Sequence, residues 1–95
     1  MADDVPPALR QRFIGGLAGR WQAIAQPASP QDCRQALHRL AGAAGSYGFP
    51  ALGQAARQAE HSCTGRASGL PDAAALADLH RCLVLAGLPA DDTTR

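Results

Sequence analysis

Among the side chains able to do chemistry near neutral pH, His38 has the most unusual surroundings. At about 100° per helical residue, Arg34, His38, Ala41, Gly42 and Gly45 share one face, while Cys33, Leu37, Leu40 and Ala44 form an apolar stripe elsewhere. A glycine inside a helix costs about 1 kcal/mol against alanine, so Gly42 and Gly45 need a reason. Access is the reason the pattern suggests: a bare surface lets another molecule reach the imidazole without meeting side chains. An ordinary imidazole, with a pKa of about 6.5, keeps an uncharged nitrogen available as a nucleophile in neutral solution.

The remaining histidines and cysteines make a weaker case. His61 and Cys63, and again His80 and Cys82, stand two residues apart, a spacing that brings zinc to mind. On a helix, such pairs diverge by roughly 200° and cannot grip one ion, so no metal site is expected. The three cysteines are expected to act as small core hydrophobes. Trp21 has no aromatic neighbours with which to stack bases and is read as a core or interhelical packing residue.

The run His38-Arg39-Leu40-Ala41-Gly42-Ala43-Ala44-Gly45-Ser46-Tyr47-Gly48, followed by Phe49-Pro50 and Leu52, resembles the signature of histidine phosphotransfer (HPt) domains. That signature reads histidine, any residue, an apolar residue, lysine and glycine, then small residues and a further glycine. Leu40, Gly42 and Gly48 stand at the matching positions. The lysine is Ala41 here, and the chain contains no lysine at all. The likeness is most specific from His38 to about Glu60, and the helical layout extends it to the chain 1–95 as a single HPt domain.

The elements that would position His38 can be read from composition and turn chemistry. The chain is 46% hydrophobic but only 4% aromatic, and rich in alanine and leucine, which suits closely packed helices rather than a sheet. A first helix is expected from Pro7, with an apolar stripe at Leu9, Phe13, Leu17, Trp21 and Ile24 and a bend or close crossing near Gly15, Gly16 and Gly19. Pro27 ends it. Ser29-Pro30-Gln31-Asp32 starts a second helix running to about Tyr47, where Gly48 supplies a left-handed stop. Phe49-Pro50 opens a third, with Leu52, Ala55, Ala56, Ala59 and Cys63 inward, fading near Gly65. Pro71-Asp72 opens the fourth, with Leu76, Leu79, Leu83 and Ala86 as its buried row, before Gly87 and Pro89 stop it ahead of a disordered tail over 90–95. Short connections favour an all-α, antiparallel up-down-up-down four-helix bundle. The turn at Gly48 then folds helices two and three into a hairpin, with His38 level with residues 57–61, where Arg57 and Glu60 share a face and can flank the imidazole.

The resemblance implies a phosphorelay intermediate, in which Nε2 of His38 accepts a phosphoryl group from a receiver-domain aspartate and passes it to a response regulator. It implies a phosphocarrier rather than an enzyme, and the chain has no phosphate loop or glycine-rich ATP lid. The expected partners are receiver domains of a hybrid sensor kinase and of a response regulator. Mg²⁺ is expected on the receiver, with no cofactor of the chain's own. Arg34 and Arg57 are the expected replacements for the lysine, since Arg39 points about 100° away from His38. Glu60 is expected to orient the imidazole, as a polar residue at that position does in the family, while Ala41, Gly42 and Gly45 form the docking face. Two alternatives stand beside this. One, suggested by the missing lysine, is a docking module that binds a receiver without accepting phosphate. The other is a small metal-binding helical protein.

Charge and cysteine usage narrow the setting. A formal charge of +1, with arginines and acids nearly balanced, argues against nucleic acid as partner. No apolar run approaches a membrane span, the N-terminus lacks the features of a signal peptide, and an odd cysteine count suggests reduced thiols. The expectation is a cytoplasmic monomer.

Overall fold

In the computed structural model, which describes residues 5–88, the chain forms α1 (Pro7–Gly15), α2 (Leu17–Ala25), α3 (Pro30–Ser46), α4 (Pro50–Ser62) and α5 (Ala73–Ala86). No strand occurs among the described residues, and the architecture is an all-helical bundle. The expected tail over 90–95, the stop at Pro89 and the first four residues lie outside the described residues.

The single first helix expected from the sequence is divided at Gly16 into α1 and α2. The N–H of Gly16 is shared between the carbonyls of Arg12 and Phe13, at 3.2 and 3.1 Å, and Arg20 N–H resumes the ladder on Gly16 O at 3.1 Å. The chain therefore bends there, but no close crossing accompanies the bend. A Cβ placed on Gly15 or Gly19 would meet nothing within 4 Å.

Capping chemistry fixes the ends of α3. Ser29 Oγ accepts the Asp32 N–H at 3.1 Å, with Pro30 in the first turn, a cap worth about 1 kcal/mol. At the other end Gly48 has φ 87°, and Phe49 N–H reaches back to Ala44 O at 2.8 Å while Gly48 N–H bonds Gly45 O at 3.4 Å. These paired bonds are a Schellman stop, and Pro50 starts α4 directly after it. Ser62 Oγ ties α4 to α5: it donates to Ala59 O at 2.7 Å and accepts the N–H of Asp72, the N-cap of α5, at 2.9 Å.

The core is made where the periodicity places it. Leu17, Ile24, Cys33, Leu37, Leu40, Leu79 and Leu83 are the large side chains wholly out of solvent, each such leucine contributing about 1.5–3 kcal/mol by burial. Leu52, Ala55, Ala56, Ala59 and Cys63 are buried from α4. Trp21 packs between helices as expected, half-buried with its ring against His80 of α5 at 4.9 Å between centroids. Two expectations need correcting. Leu9 is 41% exposed, because α1 buries only Phe13 and no described residue covers the turn before it. Leu76 and Ala86 pack on the rim of the core rather than inside it.

Helices α3 and α4 form the most extensive contact in the bundle. His38 meets Glu60, and Gly53 lies against Ala41 and Gly45, so the two helices run back along one another as a hairpin. Their closest approach is at Gly53, where an added Cβ would sit 3.2 Å from Ala41 O and 3.5 Å from Gly45 N. α1 covers the turn of this hairpin by stacking Phe13 on Tyr47 and Phe49, at centroid distances of 5.0 and 5.4 Å.

Candidate functional site

His38 projects from the middle of α3, on the side away from Leu37 and Leu40, and its side chain is 77% exposed. Its Nδ1 lies 3.2 Å from Oε2 of Glu60 on α4, whose side chain is 32% exposed. An ionised carboxylate only accepts, so this contact places a proton on Nδ1. In the neutral ring Nε2 then carries the lone pair. The pair is built by the hairpin: α3 supplies the imidazole, and the tight turn at Gly48 returns α4 at the register that brings Glu60 beside it.

The surface around the imidazole is bare on one side and covered on the other. Gly42 and Gly45 are exposed, and a Cβ on either would meet nothing within 4 Å. Neither glycine is explained by helix packing. Ala41, expected on the docking face, is instead only 5% exposed. It is rotated about 60° from His38 toward α4, and Gly53 brings α4 close enough to cover it. The bare face is thus narrower on its α4 side than the docking face expected from the sequence.

Arg34 and Arg57 are both exposed, on α3 and α4 respectively. Neither is ion-paired with a carboxylate among the described residues. The charge of Arg34 is felt at Cys63, where it partly offsets the burial that pushes that thiol's pKa up. Arg34 stands one turn before His38 on α3, and Arg57 one turn before Glu60 on α4.

The other chemically capable residues lie apart from this site. His61 is exposed while Cys63 is buried, as divergence on a helix requires, and His80 packs on Trp21. Among the described residues no three histidine, cysteine or acidic side chains gather as a metal-holding group, and no helix is long and apolar enough to cross a membrane. The residue that sequence reasoning missed is Gly53. Its place between Leu52 and Ala56, on the buried side of a helix otherwise lined with alanine, was the available signal.

No curated protein and no solved structure matches the chain. A family model for the Hpt domain does, over residues 8–89, which takes in His38, Glu60 and every helix of the bundle. With most of its length matched, and with the histidine, glycine and hairpin geometry described above, the chain belongs to the Hpt domain family, whose members are phosphocarriers in phosphorelay signalling.

Proposed function

We infer that this protein is a phosphorelay intermediate that carries a phosphoryl group on Nε2 of His38. The observation that carries this is the His38–Glu60 pair: Nδ1 is held by a carboxylate at 3.2 Å, and the ring is otherwise open to solvent. In the proposed step the Nε2 lone pair attacks the phosphorus of a receiver's aspartyl phosphate. The Nε2–P bond forms, the P–O bond to the aspartate breaks, and the aspartate leaves as a carboxylate. No proton moves, because Nδ1 keeps its hydrogen. The ring becomes cationic as the bond forms, and Glu60 is placed to stabilise that charge through a charge-assisted hydrogen bond. The receiver supplies the divalent cation and the groups around the phosphoryl oxygens, so the protein itself needs only to position a nucleophile.

In this proposal Gly42 and Gly45 let the receiver approach, and Arg34 and Arg57 lie beside the phosphoryl oxygens where the family's lysine is missing. The partners are receiver domains of a hybrid sensor kinase and of a response regulator, met by a cytoplasmic monomer with up-down-up-down topology and no enzymatic activity of its own. The test is transfer from receivers charged with radiolabelled phosphate, on wild type and on His38→Gln. Acid-labile, base-stable label on wild type alone is the expected result. Label on both proteins would move the site to His61 or His80. Receiver binding with no label on either would make the protein a docking module, which the absence of lysine at Ala41 also suits.

A further inference from the structure

Helices α2 and α3 pack together through Ile24 and Cys33 and leave a groove on the outer side of their seam. This cleft of about 410 Å³ is lined by Gly16, Gly19, Arg20, Ala23, Ala36 and Arg39. A second hollow shares Gly16 and Arg20 and continues past Arg12 to Tyr47. The floor is backbone and methyl groups. A Cβ on Gly19 would meet nothing within 4 Å, and one on Gly16 only carbonyl oxygens of the preceding turn at 3.7 and 3.8 Å.

The walls are cationic. None of Arg12, Arg20 and Arg39 is paired with a carboxylate among the described residues, whereas Arg66 and Arg81 have Asp72 and Asp78. The Arg20 guanidinium is parked over the Phe13 ring, 5.5 Å from its centroid, which holds it at the cleft. From Pro7 to Ser46 the sequence places Arg10, Arg12, Arg20, Arg34 and Arg39 against one carboxylate, Asp32. The formal charge of +1 conceals this separation.

Through Arg39, the residue next to His38, the cleft adjoins the face of α3 that carries the histidine. Around α3, Gly42 lies about 40° and Arg39 about 100° from His38, both in the direction of Ala36 and the cleft. That face therefore runs from the imidazole over a bare glycine to Arg39, which lines the cleft with Arg20.

The geometry points to this cleft as a second contact area that receives an acidic segment of the phosphorylated receiver, with Arg20 and Arg39 pairing its carboxylates; this rests on His38 being the phosphoryl acceptor. A protein segment fits better than a nucleic acid, because three cations over an apolar floor are too few to track a phosphate backbone. Charges at the rim of such an interface act mainly on encounter and partner choice, so Arg20 and Arg39 select acidic receivers and speed their docking.

The experiment compares two phosphoryl donors: phosphoramidate, which labels an imidazole without docking, and a receiver charged with acetyl phosphate, taken as the one that labels wild type fastest. Arg20→Glu/Arg39→Glu should label from phosphoramidate as wild type does, yet accept phosphate from the receiver about tenfold or more slowly at low salt. The deficit should shrink in about 0.5 M salt, where the screening length falls below the separation of the charges. Arg81→Glu, on α5, should behave as wild type. Arg39→Glu alone, which removes no stacking contact, should show a smaller loss with the same salt dependence and guards against a folding defect at Arg20. Transfer by the double variant within twofold of wild type would overturn the proposal, as would slowed phosphoramidate labelling, which would mean a damaged site. Faster transfer would also overturn it, since the arginines would then be holding an acidic end of this chain or a second copy. Absence of label from either donor on wild type would mean that the assignment of His38 itself had failed.

Discussion

Nδ1 of His38 and Oε2 of Glu60 meet across the α3–α4 hairpin at 3.2 Å, and no other side chain among the described residues bonds either group. The carboxylate fixes which ring nitrogen holds the proton and offsets the charge the ring gains on phosphorylation. Glu60→Gln keeps an acceptor but loses the charge, and Glu60→Ala loses both. Transfer to His38 is expected to fall by a few fold in the first and by roughly tenfold in the second, the scale of one partly exposed charge-assisted hydrogen bond of about 1.4 kcal/mol. Single-turnover transfer rates check this order. A Glu60→Gln rate equal to that of wild type would show that the charge contributes nothing, and equal rates for the two variants would show that a neutral acceptor adds nothing.

Gly42 separates stability from docking. A side chain there has open space around it, so Gly42→Gln should gain up to about 1 kcal/mol of helix propensity. The same side chain would stand on the face a receiver must approach, and transfer should be lost. Urea melts and transfer assays on one preparation read both effects. A folded variant that transfers normally would remove access as the explanation for the glycine.

Gly53 and Gly45 face one another across the hairpin but should respond oppositely to alanine. At Gly53 a Cβ would lie 3.2 Å from Ala41 O, a carbonyl held in the α3 ladder that cannot easily give way. The overpacking cost of about 1–3 kcal/mol outweighs a propensity gain of about 1 kcal/mol. At Gly45 nothing lies within 4 Å of the new methyl, so only the gain remains. Gly53→Ala should lower the urea midpoint and Gly45→Ala should raise it. The opposite ranking would mean that the α3–α4 contact is looser at Gly53 than its geometry implies.

Most of the bundle was legible because its signals are local. Ser29-Pro30, Gly48 and Asp72 act within their own turns, and the α3 and α4 stripes repeat at helical spacing, so the hairpin and the level of Glu60 followed from sequence alone. The misses concern what covers each face. Ala41 sits about 60° from His38, and its burial depends on how closely α4 approaches, which Gly53 decides from another helix. Leu9 looked like the first step of a stripe, but a stripe is buried only where a partner helix exists. The Arg20–Arg39 cleft lies on the outer side of the seam between α2 and α3, and charge counted along the chain does not reveal which arginines two helices bring to one groove.

The cysteines offer an independent check on packing. Burial, and then the charge of Cys63, push the Cys33 thiol's pKa up, and burial is also the main cause raising that of Cys63. In the folded protein both should resist a disulfide-exchange reagent, while half-buried Cys82 reacts first; unfolding should release the other two. A raised thiol pKa means that the folded state holds its proton more tightly than the unfolded chain. The associated stability is whole below the ordinary thiol range and drains as pH climbs above it. Thiol titration with and without denaturant, and melts across that alkaline window, test both statements. Rapid reaction of all three thiols in the native protein would contradict the buried placement.

Arg34 and Arg57 are expected to matter after transfer rather than before it. Both are exposed on the two helices that bring His38 and Glu60 together, and in the proposed function each lies against phosphoryl oxygens once they are present. At such exposure a single pair contributes less than about 1 kcal/mol, so Arg34→Ala or Arg57→Ala should shorten the phosphohistidine lifetime only two- to fourfold. The double variant should approach tenfold if the two act independently. Arg39→Ala should leave the lifetime unchanged, because Arg39 points about 100° away from the ring, and should show its effect only in the rate of arrival. Decay of the label in the absence of any receiver isolates these contributions. A lifetime that responds to Arg39 and ignores Arg34 and Arg57 would place the phosphoryl group on the cleft side of the histidine, and the charge standing in for the family's lysine with it.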